Sequence, residues 1–198
     1  MKKKSHLSLS RYLIDSIQVE DLQKYRKSFL FGSILPDCTP SFVTKRHTIT
    51  GTFEILKEEI LAITEDYDCS QGITSEFSRH LGIVTHYIAD YFTFPHNSLF
   101  NGSVKEHINY EFRLMDYFRE YLSSGRADIF LLNGNNFDSV ESIFDYIKQK
   151  HAEYIKSIKE ISIDCQYIAQ LCISVVKSIL QMLEINIMIE NKQQVKVA

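Results

Sequence analysis

Glycine and proline are scarce in this chain, seven and three in 198 residues. So few turn-formers exclude a fold of many short strands and leave long regular segments, which predicts an all-α architecture. The four cysteines, Cys38, Cys69, Cys165 and Cys172, contain no C-x-x-C pair, which excludes the usual zinc-ribbon and redox spacings. Cys165 and Cys172 stand seven apart on one helix face and are expected to be buried thiols. No excess of positive charge exists: the formal net charge is −3, so no overall basic field draws the molecule to nucleic acid. The uncharged run CQYIAQLCISVV stops at twelve residues, short of the ~20 that cross a bilayer. Lysines open the chain in MKKKS, but neither an apolar segment nor a small-residue cleavage site follows. The expectation is a cytoplasmic protein without a transmembrane segment.

What is present is ordinary globular composition, 44% hydrophobic and 24% charged, and enough chain for one domain over residues 1–198. Apolar residues at Leu9, Leu13, Ile17, Leu22, Tyr25 and Phe29 predict one amphipathic helix over 7–31. GSILPDCTP is a loop, with helices expected from near Pro40 and near Thr52. Residues 76–94 read as a central helix with an almost wholly apolar face, stopped by Pro95. Ser103 and Glu106 have capping-box spacing and open a helix to about residue 122. Asp138 and Glu141 repeat a cap-like spacing before another, and a last helix spans 163–189, so that 137–190 holds the C-terminal helices. Only LLNGNNF leaves a strand open. The aromatics Tyr87, Tyr91, Phe92 and Phe94 are expected to pack, with one or two free to line a pocket mouth.

The chemistry begins in HYIADYFTFPHN, residues 86–97. His86 and Asp90 are four apart and project from one helix face, as do His107 and Glu111. Spacing alone is weak, because 25 acids among 198 positions give seven histidines roughly one such pair by chance. Context adds weight. Asp90 sits in an apolar segment, and no Lys or Arg lies between Arg79 and Lys105. A buried carboxylate needs a counter-charge, so one must come from another helix or from a metal. Imidazole and carboxylate together suit zinc. His96 follows six residues after Asp90, and upstream stand His6, Asp37 and His47.

That order is His near the start, Asp then His across a loop, H-x-x-x-D with a further His, then H-x-x-x-E. It resembles the zinc-dependent phospholipase C family of bacteria, over residues 6–111. The resemblance implies an all-helical enzyme that hydrolyses phosphoester bonds with metal-activated water, phospholipid being the leading substrate. It implies that His96, His107 and Glu111 hold one zinc and that Asp37, His47, His86 and Asp90 hold another. Asp90 would bridge to a third, shared with His6. Asp37 would also orient or deprotonate the attacking water. In the family a mature N-terminal tryptophan completes the third site. This chain has no tryptophan, so two zinc ions are expected and the third is left open. Two alternatives stand beside this reading: a nucleotide or nucleic-acid phosphoesterase like the related zinc nucleases, and a non-catalytic metal-binding protein. His80 and His151 fall outside the pattern and are expected to be structural. Transient contact with a membrane surface is compatible with the reading; oligomeric state is not legible.

Overall fold

Where the periodicity predicts one helix over 7–31, the chain forms three: α1 (Lys3–Ile17), α2 (Glu20–Lys24) and α3 (Arg26–Gly32). The break is at Gln18, which closes α1 in the left-handed region with φ of 57°. A non-glycine residue there ends a helix, although the apolar spacing runs on through it. The structure is a computed structural model describing residues 1–39, 46–157 and 159–197, with 189–197 by backbone alone. The helix expected near Pro40 falls in 40–45, outside the described residues.

The remaining helices are α4 (Ile49–Leu61), α5 (Ser75–Tyr91), α6 (Val104–Ser123), α7 (Asp128–Asn133), α8 (Val140–Lys156) and α9 (Ile161–Val197). No strand occurs among the described residues, and LLNGNNF continues α7 into a loop. Four of the longer helices start on a side-chain cap. Thr48 and Thr74 accept hydrogen bonds from Gly51 N–H and Phe77 N–H at the heads of α4 and α5. Ser103 and Glu106 form the expected capping box on α6. On α8 the cap is Ser139, accepting from Ser142 N–H, and not Asp138 one residue earlier. Helix α5 ends at Tyr91, and Pro95 follows within a short 3-10 turn, Phe94–His96.

Helix α5 is the axis of the molecule. Every residue from Leu81 to Tyr91 is buried, and α1, α3, α4 and α9 pack around it. Apolar side chains from α1 to α9 join one core, including Tyr87, Tyr91 and Phe92. The closest approach is between α3 and α5. A Cβ on Gly32 would stand 2.0 Å from the Arg79 carbonyl oxygen, and one on Gly82 would stand 2.3 Å from that of Phe29. Neither position tolerates a side chain while the backbones stay where they are. This contact brings the backbone after α3 against the middle of α5, where His86 projects.

Helix α9 is far longer than its uncharged run suggests. Its Ile161–Met188 stretch is long and apolar enough to cross a membrane, yet its most apolar window is 61% buried inside the protein, as in a core helix. Cys165 and Cys172 are buried free thiols on it, as their spacing predicts, and Cys69 is buried too. In the first turn of α9, buried Asp164 accepts from Tyr154 Oη (2.6 Å), Tyr110 Oη (2.8 Å) and Phe94 N–H (2.9 Å). Burial pushes its carboxyl up to about 6, against the pull of those three donors. This one side chain ties α9 to α8, to α6 beside Glu111, and to the turn bearing His96. Leaving any of these buried donors unpaired would cost about 1–3 kcal/mol.

Candidate metal centre

The proposed ligands arrive from six places in the fold. His86 and Asp90 come from adjacent turns of α5, and His107 and Glu111 from the first half of α6. Asp37 lies in a 3-10 turn after α3, His47 just before the cap of α4, and His96 at the end of the turn after α5. His6 is on α1, buried against α5 with its ring stacked on His86, centroids 4.0 Å apart. All eight residues face one region.

Seven of them form two tight groups. In the first, ligand atoms of Asp37, His47, His86 and Asp90 all lie within 4.8 Å of one another. His86 Nε2 is 3.0 Å from His47 Nδ1 and 3.3 Å from Asp90 Oδ2, and His47 Nδ1 is 3.0 Å from Asp90 Oδ2. Asp37 Oδ1 stands back at 3.7 Å from His86 Nε2 and 3.8 Å from His47 Nδ1. In the second group, Glu111 Oε1 is 3.2 Å from His96 Nε2 and 3.1 Å from His107 Nε2. Asp90 faces both: its Oδ2 is 3.6 Å from His96 Nδ1, and its Oδ1 is 3.4 Å from His6 Nε2.

The orientation of His86 is fixed by the backbone. Its Nδ1–H donates to the Ser33 carbonyl at 2.9 Å, since a carbonyl can only accept. That leaves Nε2 to face the cluster, the arrangement by which a second-sphere carbonyl orients a metal-binding imidazole. The glycine contact between α3 and α5 is what brings Ser33 there.

Met1 is a participant the sequence did not single out. It is buried, and its α-amine is 2.6 Å from Asp90 Oδ1, 3.1 Å from Glu111 Oε1 and 3.1 Å from His96 Nε2. The counter-charge that Asp90 lacks within its own segment is therefore supplied from the head of α1. Spacing rules hold no information on a backbone amine. The one available signal was the closeness of His6, less than two helical turns away. Burial would lower the amine's pKa, but Asp90 and Glu111 outweigh it and the net shift is upward. Burial likewise works against the charged forms of Asp90 and Glu111. The Met1 amine and His96 beside Asp90, and His107 and His96 beside Glu111, hold both carboxyls well below their usual range. Asp37 has the opposite balance, raised by burial and by its neighbour Asp90. His6 is lowered to about 3 by burial and by His86, so it is a neutral imidazole at ordinary pH.

A family model described as zinc dependent phospholipase C matches residues 5–161. The chain belongs to the zinc-dependent phospholipase C family. Searches among curated proteins and among solved structures returned no significant match. As a member of this family the protein is a phospholipase C-like hydrolase that depends on zinc. The match extends past residue 111, where the quoted motifs stop, through α8 to the first residue of α9.

The residues fit the metal the family name implies. Zinc with ligand bonds of about 2.0–2.1 Å in a tetrahedron separates its ligand atoms by about 3.3 Å. The separations given above, 3.0–3.8 Å in the first group and 3.1–3.2 Å in the second, lie within about 0.5 Å of that edge. His6 gives a second indication. Neither buried ring nitrogen makes a well-formed hydrogen bond among the described residues, although Nε2 lies 3.4 Å from Asp90 Oδ1, and this is a costly state for a polar group with no ligand to meet. The histidines outside the family pattern belong to neither ligand group. His80 pairs with Glu59. His151 bonds Asn97 Oδ1 at 2.7 Å, and Asn97 in turn donates to the Tyr91 and Thr93 carbonyls, bracing the turn that bears His96.

Both groups open on one cavity of about 1250 Å³. Asp37, His47, His96, His107 and Glu111 line it, while His86 and Asp90 stand behind. None of the four aromatics of 87–94 reaches the cavity wall; Phe100 and Phe112 do.

Proposed function

We propose that the protein is a phosphodiesterase of phospholipase C type, cleaving the bond between a lipid's glycerol oxygen and its phosphorylated headgroup. The observation that supports this most is the opening of two three- and four-residue ligand groups onto one cavity, with Asp90 between them. Asp37, His47, His86 and Asp90 would hold one zinc ion, and His96, His107 and Glu111 a second. His6 Nε2 lies 3.4 Å from Asp90 Oδ1, outside both groups. Bound zinc supplies Lewis-acid stabilisation of phosphoryl charge and lowers the pKa of water.

The chain's own residues do the rest. Asp37 stands farthest from its neighbours in the first group and lines the cavity, so its carboxylate is placed to orient the attacking water and accept its proton. Ser33 fixes the ring of His86, and Asn97 with His151 fixes the turn of His96, so the ligand atoms are held in place before substrate arrives. The half-buried His107 edges the cavity, where a substrate oxygen can approach.

Turnover of a water-soluble phosphodiester, a phosphatidylcholine dispersion and single-stranded nucleic acid by zinc-loaded protein tests the proposal. The expected result is headgroup release from lipid at least tenfold faster than nucleotide release. Preferred cleavage of nucleic acid would move the reading to the nuclease alternative, and zinc-loaded protein that cleaves none of the three would leave metal binding without catalysis.

A further inference from the structure

Helix α6 carries two apolar stripes. One, with Leu114, Phe118 and Leu122, is buried in the core. The other, Val104, Ile108 and Phe112, lies along the cavity mouth, and it is exposed by 77%, 40% and 51%. These three residues are four apart, so they form a line along one face. An exposed apolar line at the rim of a polar site is a surface waiting for a partner.

The charges around it say which partner. Outside the ligand groups, every charged residue among the described ones that line the cavity is basic: Lys2, Lys3, Lys4 and Arg46. Lys2 is engaged, its Nζ 3.6 Å from Glu111 Oε2 and 4.5 Å from the ring centroid of Phe112. No carboxylate among the described residues pairs with Lys3, Lys4 or Arg46. Local positive charge on a chain whose net charge is −3 is a directed feature rather than an average one. A second copy docked here through a two-fold axis would set these cations against their own equivalents, which disfavours a dimer.

We propose that this rim seats the protein on an anionic phospholipid bilayer, the α6 stripe entering the headgroup layer while Lys3, Lys4 and Arg46 meet lipid phosphates and carboxylates. Apolar side chains flanked by lysines are the composition that holds a helix in the plane of an interface. The cavity mouth then faces the surface where its diester is found. The inference rests on the phospholipase reading for its choice of bilayer, but docking and hydrolysis are separable because none of the rim residues belongs to a ligand group.

Flotation with vesicles of phosphatidylcholine, alone or with phosphatidylserine added, tests it on metal-loaded and on chelator-treated protein. Binding is expected to be at least tenfold tighter to the anionic vesicles, in both metal states, and to weaken at high salt. The double variant Lys3→Gln/Lys4→Gln should lose about fivefold per lysine. Val104→Asn/Ile108→Asn should lose about tenfold, and circular dichroism matching the parent protein confirms that these exposed changes leave the fold intact. Equal binding to neutral and anionic vesicles, unchanged binding by both variants, or a dimer in sedimentation that Val104→Asn/Ile108→Asn disrupts would overturn the proposal. Hydrolysis failing while flotation holds would sink the phosphodiesterase reading; flotation failing while a water-soluble diester is still cleaved would sink the docking face alone.

Discussion

Asp90→Asn is expected to lower phosphodiester turnover by about 10³-fold or more, the loss of roughly 4 kcal/mol of transition-state stabilisation. No other side chain touches so much of the site. Its two oxygens lie 2.6 Å from the Met1 amine and 3.0, 3.3, 3.4 and 3.6 Å from nitrogens of His47, His86, His6 and His96. An amide keeps the shape but removes the negative charge that offsets bound cations, and turns one acceptor into a donor facing imidazoles and an amine. Zinc content should fall with activity, because Asp90 belongs to the first group and borders the second. Turnover within tenfold of the parent protein, with metal content unchanged, would mean that Asp90 merely pairs with Met1 and that the chemistry lies elsewhere.

Supplying zinc to chelator-treated protein should raise the thermal midpoint by about 8–16 °C at a free concentration about 1000-fold above the dissociation constant. The physical cause is that the two ligand groups bind metal only when the fold has assembled them, since residues 37, 47, 86, 90, 96, 107 and 111 come from separate helices and turns. Without metal the fold must hold Asp37, Asp90 and Glu111 close together among imidazoles, and it leaves His6 without a well-formed hydrogen bond among the described residues. Calorimetry of the same preparation with and without zinc measures the difference. A midpoint that does not move would place the clusters among ordinary buried ion pairs.

Helices were legible because glycine and proline are few and apolar residues recur at helical spacing. The Ser103–Glu106 box was legible for the same reason, being purely local chemistry. The break at Gln18 was not, because Ile17, Leu22, Tyr25 and Phe29 keep their spacing across it and only backbone dihedrals reveal it. At the site, H-x-x-x-D and H-x-x-x-E put two pairs of ligands on helix faces, and the family order joined His6, Asp37, His47 and His96 to them. What stayed hidden is what side-chain identity does not encode. The Met1 amine and the Ser33 carbonyl are backbone groups, and their roles follow from where α1 begins and how closely α3 meets α5. Asp164 could have been suspected, as a lone acid heading an apolar helix, but its partners Phe94 and Tyr110 lie 70 and 54 residues away.

The rim of the cavity shows a similar limit. Val104, Ile108 and Phe112 have the spacing of a helix face, but so do the core residues of the same helix, and periodicity cannot tell which stripe is covered. Only the packing of α1 and α9 against α6 settles it.

The most direct test of the whole account is the zinc content of purified protein, supplied with metal and then freed of the excess, with anomalous scattering to locate the ions. Two firmly held ions are expected, one among Asp37, His47, His86 and Asp90 and one among His96, His107 and Glu111. Protein prepared in this way that retains no metal, or that holds it away from both groups, would contradict it.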